Sequence, residues 1–226
     1  MQLPNFKDKA LFKQAFTHRS FLNETRERIE SNERLEFLGD SIVSFIISEY
    51  LFVSYPQYDE GILTNIRSLV VNTKSLAQIA KTLGFGKYLR LSKGEEDSKG
   101  RENQSLLADC FEAFVGALFL DGGIEIVKTF LLDIFIEKIK ALVEKQAFKD
   151  PKSLLQEFVQ AQKVSSPFYK VLQEEGPAHA RLFTVGVYVN NEIVGKGGGK
   201  TKQEAEENAA KEAILTYKTG LEKQGK

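Results

Sequence analysis

Two separate apolar segments of this chain carry closely spaced acids. In Glu33-Arg34-Leu35-Glu36-Phe37-Leu38-Gly39-Asp40, the carboxylates Glu33, Glu36 and Asp40 are three and then four residues apart, so they share one face of a helix. Continuing that stripe gives Val43, Ile47 and Tyr50, which places the acids in line with residues expected to face the interior. The second segment, Leu106-Leu107-Ala108-Asp109-Cys110-Phe111-Glu112-Ala113-Phe114-Val115-Gly116, is apolar on nearly every helical face and should be buried. Its Asp109 and Glu112 are neighbours on one side. Carboxylates turned inward repel each other and need a cation or donors. A divalent metal satisfies them, and an all-oxygen donor set suits magnesium or manganese. With two histidines and one cysteine in the chain, zinc is a poor fit. Two other readings stay open: charged helix starts complementing the dipole, and buried acids bridged by Arg34, Arg67 or Lys74. Tyr58-Asp59-Glu60-Gly61 reads as a turn, with Glu60 as a possible extra ligand.

The elements that must position these acids follow from periodicity. Residues 1–145 read as mostly helical, with apolar positions recurring at three and four: Leu11, Ala15 and Phe16; Leu35, Leu38 and Ile42; Leu76, Ile79, Ala80 and Leu83. Breaks are expected at Tyr55-Pro56, Gly61, Gly84-Phe85-Gly86 and the polar run 93–103. Asp121-Gly122-Gly123 closes the second acidic helix, and 124–143 makes one more amphipathic helix. A different pattern starts at Asp150-Pro151, an N-cap followed by proline at the first helical position. Residues 153–162 read as a helix, then 168–173, 182–189 and 192–196 as strands, with Phe183, Val185, Val187 and Val189 on one face. Asn190-Asn191 fits a hairpin turn. A final helix, 201–217, starts with Thr201 and Glu204 in capping-box spacing and turns Ala205, Ala209, Ala213 and Tyr217 inward. The expected fold is an all-α domain followed by a small α+β (α-β-β-β-α) domain: 1–146, a linker at 147–151, 152–220, and a frayed tail at 221–226.

Composition narrows the function classes. The 31 basic and 31 acidic side chains cancel, which argues against bulk electrostatic attraction to a polyanion. The balance is uneven, however: residues 1–146 hold 19 basic and 21 acidic groups, and residues 147–226 hold 12 and 10. Cys110 is the single cysteine, excluding an intrachain disulfide and fitting a reducing compartment. No segment has the form of a signal peptide, and the apolar stretches around 42–53 and 114–120 read as interrupted or too short to span a bilayer. A soluble, cytoplasmic protein without membrane association is expected.

The second domain offers three polar regions. Ser153, Gln156, Glu157 and Gln160 fall on one helix face. Gly176-Pro177-Ala178-His179 reads as a strand connection whose imidazole could reach a 2′-hydroxyl. Gly197-Gly198-Gly199-Lys200-Thr201-Lys202 leads straight into the last helix, where close backbone approach, the helix N-terminus and lysines favour phosphate; the plainer reading of the triple glycine is a flexible turn. Three such regions fit a module spanning two minor grooves and the intervening major groove of an A-form duplex.

Taken in order, the motifs resemble those of bacterial ribonuclease III. The segment 32–41 is similar to that family's signature. It is preceded by Thr17-His18-Arg19-Ser20 and followed by Asp59-Glu60-Gly61, Leu63-Thr64, Arg67, Leu107-Ala108-Asp109, Phe111-Glu112-Ala113 and Asp121-Gly122-Gly123. The second domain is similar to the double-stranded-RNA-binding domain that follows in that family, so the resemblance covers about residues 5–217. It implies a homodimeric nuclease that cuts double-stranded RNA with Mg2+ (Mn2+ substituting). Glu36, Asp40, Asp109 and Glu112 correspond to the metal-centre acids, of which Asp40 and Glu112 are catalytic. Glu33 and Glu60 match accessory acidic positions of the cleft, and the stretch 33–38 lies near the subunit interface. The products would carry 5′-phosphate and 3′-hydroxyl ends with a short 3′ overhang, and the substrates would be ribosomal RNA precursors and structured messages. RNA contacts are expected from Ser153, Gln156, Glu157, Gln160, His179, Lys200, Thr201 and Lys202. Gln203 departs from the family pattern, where a second basic residue is usual, so weaker and less salt-sensitive RNA binding is expected. Two rivals remain, a duplex-binding protein with a degenerate nuclease domain and a structural helical protein of the ribosome. Only the nuclease requires all four acids.

Overall fold

The computed structural model describes residues 3–146, 148, 150–177 and 180–224, with side chains through residue 217. The chain divides into two compact units, Met1–Phe148 and Lys149–Lys226.

The first unit is helical: α1 (Lys9–Ala15), α2 (Glu33–Ser54), α3 (Glu60–Val70), α4 (Thr73–Thr82), α5 (Lys93–Asp97), α6 (Gln104–Gly122) and α7 (Ile124–Glu144). α6 is its axis. Ten of its residues are buried, from Leu107 to Leu118, as expected of a helix apolar all round. Phe114 on α6 packs against Phe6, Phe16, Phe85 and Phe130 at ring separations of 5.0–5.9 Å, a desolvated aromatic core that holds the helix in place. α2 lies along α6 with Leu35, Ile42, Val43, Ile46, Ile47 and Leu51 buried. At 22 residues it has the length and hydropathy of a membrane span, longer than the interrupted stretch expected there, and its buried side forms the seam with α6.

Two expected breaks are ordered differently. Gly61 lies in the first turn of α3, where the Asp59 carboxylate accepts from the Ile62 N–H at 2.9 Å. Its lack of a β-carbon ends nothing, because the cap outweighs the weak helix preference of a glycine in the first turn. The polar run 93–103 contains α5 and a 3-10 turn, Gly100–Glu102. Phe148 is buried in the first unit's core, its ring 5.1 Å from Tyr58, and its carbonyl accepts from the Asn65 amide.

The second unit runs α8 (Pro151–Ala161), β1 (Phe168–Glu175), β2 (Leu182–Val189), β3 (Glu192–Gly199) and α9 (Lys202–Gln224). The antiparallel sheet has the order β1-β2-β3. Asn190 and Asn191, at φ 51° and 65°, form the two-residue β2–β3 turn; positive φ at both central positions matches the strand twist. The glycines read as a flexible turn prove to be strand. Gly197 and Gly199 lie within β3, paired with Val185 and Phe183. A β-carbon on Gly197 would sit 2.1 Å from the Ala209 backbone nitrogen, and one on Gly199 2.6 Å from that of Ala205. These glycines therefore let β3 press against the alanine face of α9, where Ala205, Ala209 and Ala213 are fully buried. The close backbone approach anticipated there serves the core.

Candidate metal centre and nucleic-acid face

Glu36 and the pair Asp109 and Glu112 meet across the seam between α2 and α6. One carboxylate oxygen from each lies within 4.8 Å of the others, and all three side chains are half-buried. The proximity is set by backbone contact. A β-carbon at Gly39 would lie 1.8 Å from the Glu112 carbonyl oxygen, and one at Gly116 would lie 2.2 Å from that of Leu35. The helices thus touch main chain to main chain at two glycines, one on each, and Glu36 and Glu112 flank that contact. Sequence reading passed over both glycines. An isolated glycine inside each of two apolar helices was the available signal, since such positions cost helix propensity and usually mark close packing.

The starts of both helices are anchored. The Asn103 carboxamide caps α6, accepting from the Ser105 and Leu106 N–H groups at 2.9 and 3.3 Å. Asn32 precedes α2, is nearly inaccessible, and donates from its amide to the Ala15 carbonyl at 3.3 Å. The α2 entry is thereby tied to the end of α1.

The electrostatics are those of crowded, half-buried acids. Burial pushes the Glu112 carboxyl up to about 7, and the neighbouring Asp40, Glu36 and Asp109 push the same way. Burial also raises Glu36, with Asp109, Glu33 and Asp40 adding to it. Asp109 is raised by burial and partly drawn back by His18. His18 is a second residue passed over as an individual. Its Nδ1 lies 2.8 Å from the Ser20 hydroxyl, which in turn accepts from the Ser92 N–H at 3.0 Å.

Asp40 is exposed, one turn along α2 from Glu36. It stands outside the tight cluster yet is the strongest charge acting on Glu112 after burial itself. Glu33 and Glu60 are not brought into the cluster. Glu33 accepts from the Ser31 hydroxyl at 2.9 Å and pairs with Arg19 at 3.6 Å. Glu60 accepts from Thr64 at 3.3 Å and lines an apolar groove with Phe45, Phe52 and Tyr55. The cations that might have bridged the acids are elsewhere: Arg34 pairs with Glu30 and Arg67 donates to Ser48. Among the described residues, no lysine or arginine forms an ion pair with Glu36, Asp40, Asp109 or Glu112. Three converging carboxylates that resist ionisation together fit a hard divalent cation, whose charge would offset both their burial and their repulsion.

In the second unit, Ser153, Gln156, Glu157 and Gln160 lie exposed on one face of α8. The Ser153 N–H and hydroxyl are both engaged with Asp150, at 3.1 and 3.2 Å. The Thr201 hydroxyl accepts from the Glu204 N–H at 3.1 Å, and Glu204 returns a bond to the Lys200 N–H at 2.7 Å, a capping pattern that fixes the start of α9. The Lys202 ammonium sits 5.5 Å above the Phe183 ring and 3.3 Å from Glu174, which also pairs with Arg181 at 3.5 Å. Gln203, where the family pattern has a base, donates to Glu207 at 3.1 Å. His179 lies outside the described residues.

Comparison with known proteins agrees with this geometry. Residues 8–139 match the model of the Ribonuclease-III-like family, and residues 151–217 match the double-stranded RNA binding motif. A protein of Streptococcus gordonii named Ribonuclease 3 is 48% identical, over 92% of this chain and 90% of its own length. Its namesake in Listeria monocytogenes serotype 4a is 48% identical, over 95% and 94%. Among solved structures, the nuclease domain of a Campylobacter jejuni ribonuclease III is 42% identical with a TM-score of 0.54, covering 59% of this chain and 90% of that one. A Dicer from Pichia stipitis is 29% identical with a TM-score of 0.51, over 95% and 97%. The seam of acids in a helical unit, the helix–sheet–helix unit that follows it in the chain and relatives matched almost end to end lead to one assignment: the chain is an endoribonuclease belonging to the ribonuclease III family.

Proposed function

We propose that this chain hydrolyses both strands of double-stranded RNA, using Mg2+ (or Mn2+ as substitute) held by Glu36, Asp109 and Glu112, with Asp40 completing the centre. The observation that carries the reading is the convergence of carboxylates from two helices within 4.8 Å, with no lysine or arginine paired to them among the described residues. A divalent ion bound there supplies charge neutralisation at the phosphodiester and a water of lowered pKa. The chain's own residues do the rest. Glu36 and Asp109 hold the centre from opposite sides of the seam. Glu112, the most strongly perturbed acid, and the exposed Asp40 are the catalytic pair, orienting the attacking water and the scissile phosphate. Hydrolysis in this manner leaves 5′-phosphate and 3′-hydroxyl ends.

Two further features belong to the same reading. The outer face of α2 exposes Phe37, Phe45, Phe52 and Val53, each 62–79% accessible. An apolar run of this kind marks an interaction surface, and a second copy of this chain is the proposed occupant. The Campylobacter jejuni structure is described as having a region involved in dimer formation in its nuclease domain. A two-fold dimer puts two centres on one duplex, and cuts across the minor groove then leave a short 3′ overhang. The second unit grips the duplex through Ser153, Gln156, Glu157 and Gln160 on α8, through His179, and through Lys200, Thr201 and Lys202. Ribosomal RNA precursors and structured messages in the cytoplasm are the proposed substrates, and the lone reduced cysteine suits that compartment.

The test is a cleavage assay on end-labelled duplex RNA with magnesium or chelator, run in parallel with Glu112→Ala. Metal-dependent cutting that disappears in the variant while duplex binding survives is expected. Cutting that persists in chelator would remove the metal from the mechanism.

A further inference from the structure

A hollow of about 380 Å3 lies between α4, the start of α6 and α7. It is separate from the acidic residues: Lys74, Lys81 and Lys138 line it, and Glu102 is the one acid in its wall among the described residues. Lys138 is the anomaly. It is half-buried, and its ammonium donates to the Ser75 hydroxyl, which itself donates to the Val70 carbonyl. A lysine head has three protons to place, and a buried lysine is normally paired with an acid. Here no carboxylate lies within ion-pair distance among the described residues, and burial alone draws its pKa down, with no acid opposing the shift. The start of α4 adds positive potential to the same wall. Asn72 caps that helix by accepting from the Ser75 N–H at 2.9 Å, so the first turn stands beside Lys138 through Ser75.

We infer that this hollow is an anion site for a small phosphate-class ligand, with Lys138 making the direct contact and Lys74 and Lys81 supplying the surrounding field. Phosphate matches the site because it returns a full counter-charge to a lysine that has none and offers several acceptors to its remaining protons. Free phosphate and the terminal phosphate of a nucleotide share this chemistry. The inference does not depend on RNA cleavage.

The experiment titrates the full chain calorimetrically in chelator, so that no divalent ion bridges phosphate to the carboxylate cluster. Inorganic phosphate and a nucleoside 5′-monophosphate are titrated separately, with chloride at matched ionic strength. Saturable one-to-one binding is expected, weakened about tenfold in Lys138→Met, an isosteric change that removes the charge. Binding that is lost in Lys200→Gln/Lys202→Gln, which removes the phosphate-facing lysines of the second unit, while Lys138→Met binds as the parent does, would place the anion in the second unit and overturn the inference. Tighter binding of the nucleotide than of inorganic phosphate identifies the nucleotide as the source of the anion, and equal binding identifies free phosphate. If Lys138→Met loses cooperative unfolding, Lys74→Gln/Lys81→Gln carries the test, with weakening of about threefold or more expected. Non-saturable heats, equal competition by chloride, or unchanged affinity in the charge-removing variants would overturn the inference.

Discussion

The contact at Gly39 yields the sharpest prediction. In Gly39→Ala the new methyl carbon would begin 1.8 Å from the Glu112 carbonyl oxygen, where ordinary contact starts at 3.4 Å. The obstacle is main chain and has no rotamer to change, so α2 and α6 must separate by roughly 1.5 Å or the local helix must distort. Two effects of opposite sign compete. Alanine gains about 1 kcal/mol over glycine in a helix interior. Overpacking against backbone costs about 3 kcal/mol, the upper end of the usual range, because the obstacle is main chain, so a net loss of stability of about 2 kcal/mol is expected. The functional effect is larger. Glu36 is three residues from Gly39 and Glu112 is the residue struck, so the shift falls on the ligand set, and metal sites tolerate only about 0.2 Å in ligand distance. Metal affinity should fall at least about tenfold, with cleavage falling alongside, while duplex binding by the second unit stays. Denaturant unfolding, calorimetric Mn2+ titration and the cleavage assay read the three quantities. Gly94→Ala, where a β-carbon would meet nothing within 4 Å, is the control and should be neutral or slightly stabilising. Wild-type metal affinity and cutting in Gly39→Ala would refute the argument that glycine contact positions the centre.

Three other outcomes follow from the same geometry. In chelator, the stability of the chain should fall as pH rises from about 4.5 to about 7: an unfolded Glu112 ionises near 4.5, the folded one near 7, and the folded state pays for keeping the proton. Thermal melts against pH should show this slope flattened in Glu112→Gln and reversed by added Mg2+; a slope of opposite sign would contradict the burial argument. Removing the carboxylate that occupies Lys202 and Arg181, by Glu174→Gln, should tighten duplex binding about two- to fivefold and steepen its salt dependence; an unchanged slope would mean those cations do not meet phosphate. Phe45→Glu places a charge on the exposed face of α2 and should shift sedimentation from dimer to monomer without lowering the melting temperature of the folded unit; a dimer that survives would move the interface elsewhere.

Much of this protein is written in local pattern. Helical periodicity and stop signals marked the long helices to within a few residues, and the alternation of β2 with Asn190-Asn191 placed the hairpin. Asp109 and Glu112 could be singled out because charge in a stretch apolar on all sides is conspicuous on energetic grounds alone. The order of motifs carried the resemblance to the family. Those are short-range properties: they depend on which residues lie one turn or one strand apart, and sequence states that directly.

Tertiary packing decided what depends on two elements meeting. Glu33, Glu36 and Asp40 share one helix face, yet only Glu36 joins Asp109 and Glu112 in the tight cluster, because the point at which α2 crosses α6 is set by Gly39 and Gly116 and by no property of either helix taken singly. Gly197 and Gly199 look like a turn in isolation and become strand because the alanine face of α9 leaves no room for a β-carbon. Lys202, read as free to meet phosphate, stands over Phe183 beside a carboxylate from another strand. Spacing along a chain tells which groups are neighbours on one element; which groups become neighbours between elements is settled by steric contact across the core, and that information resides in the fold.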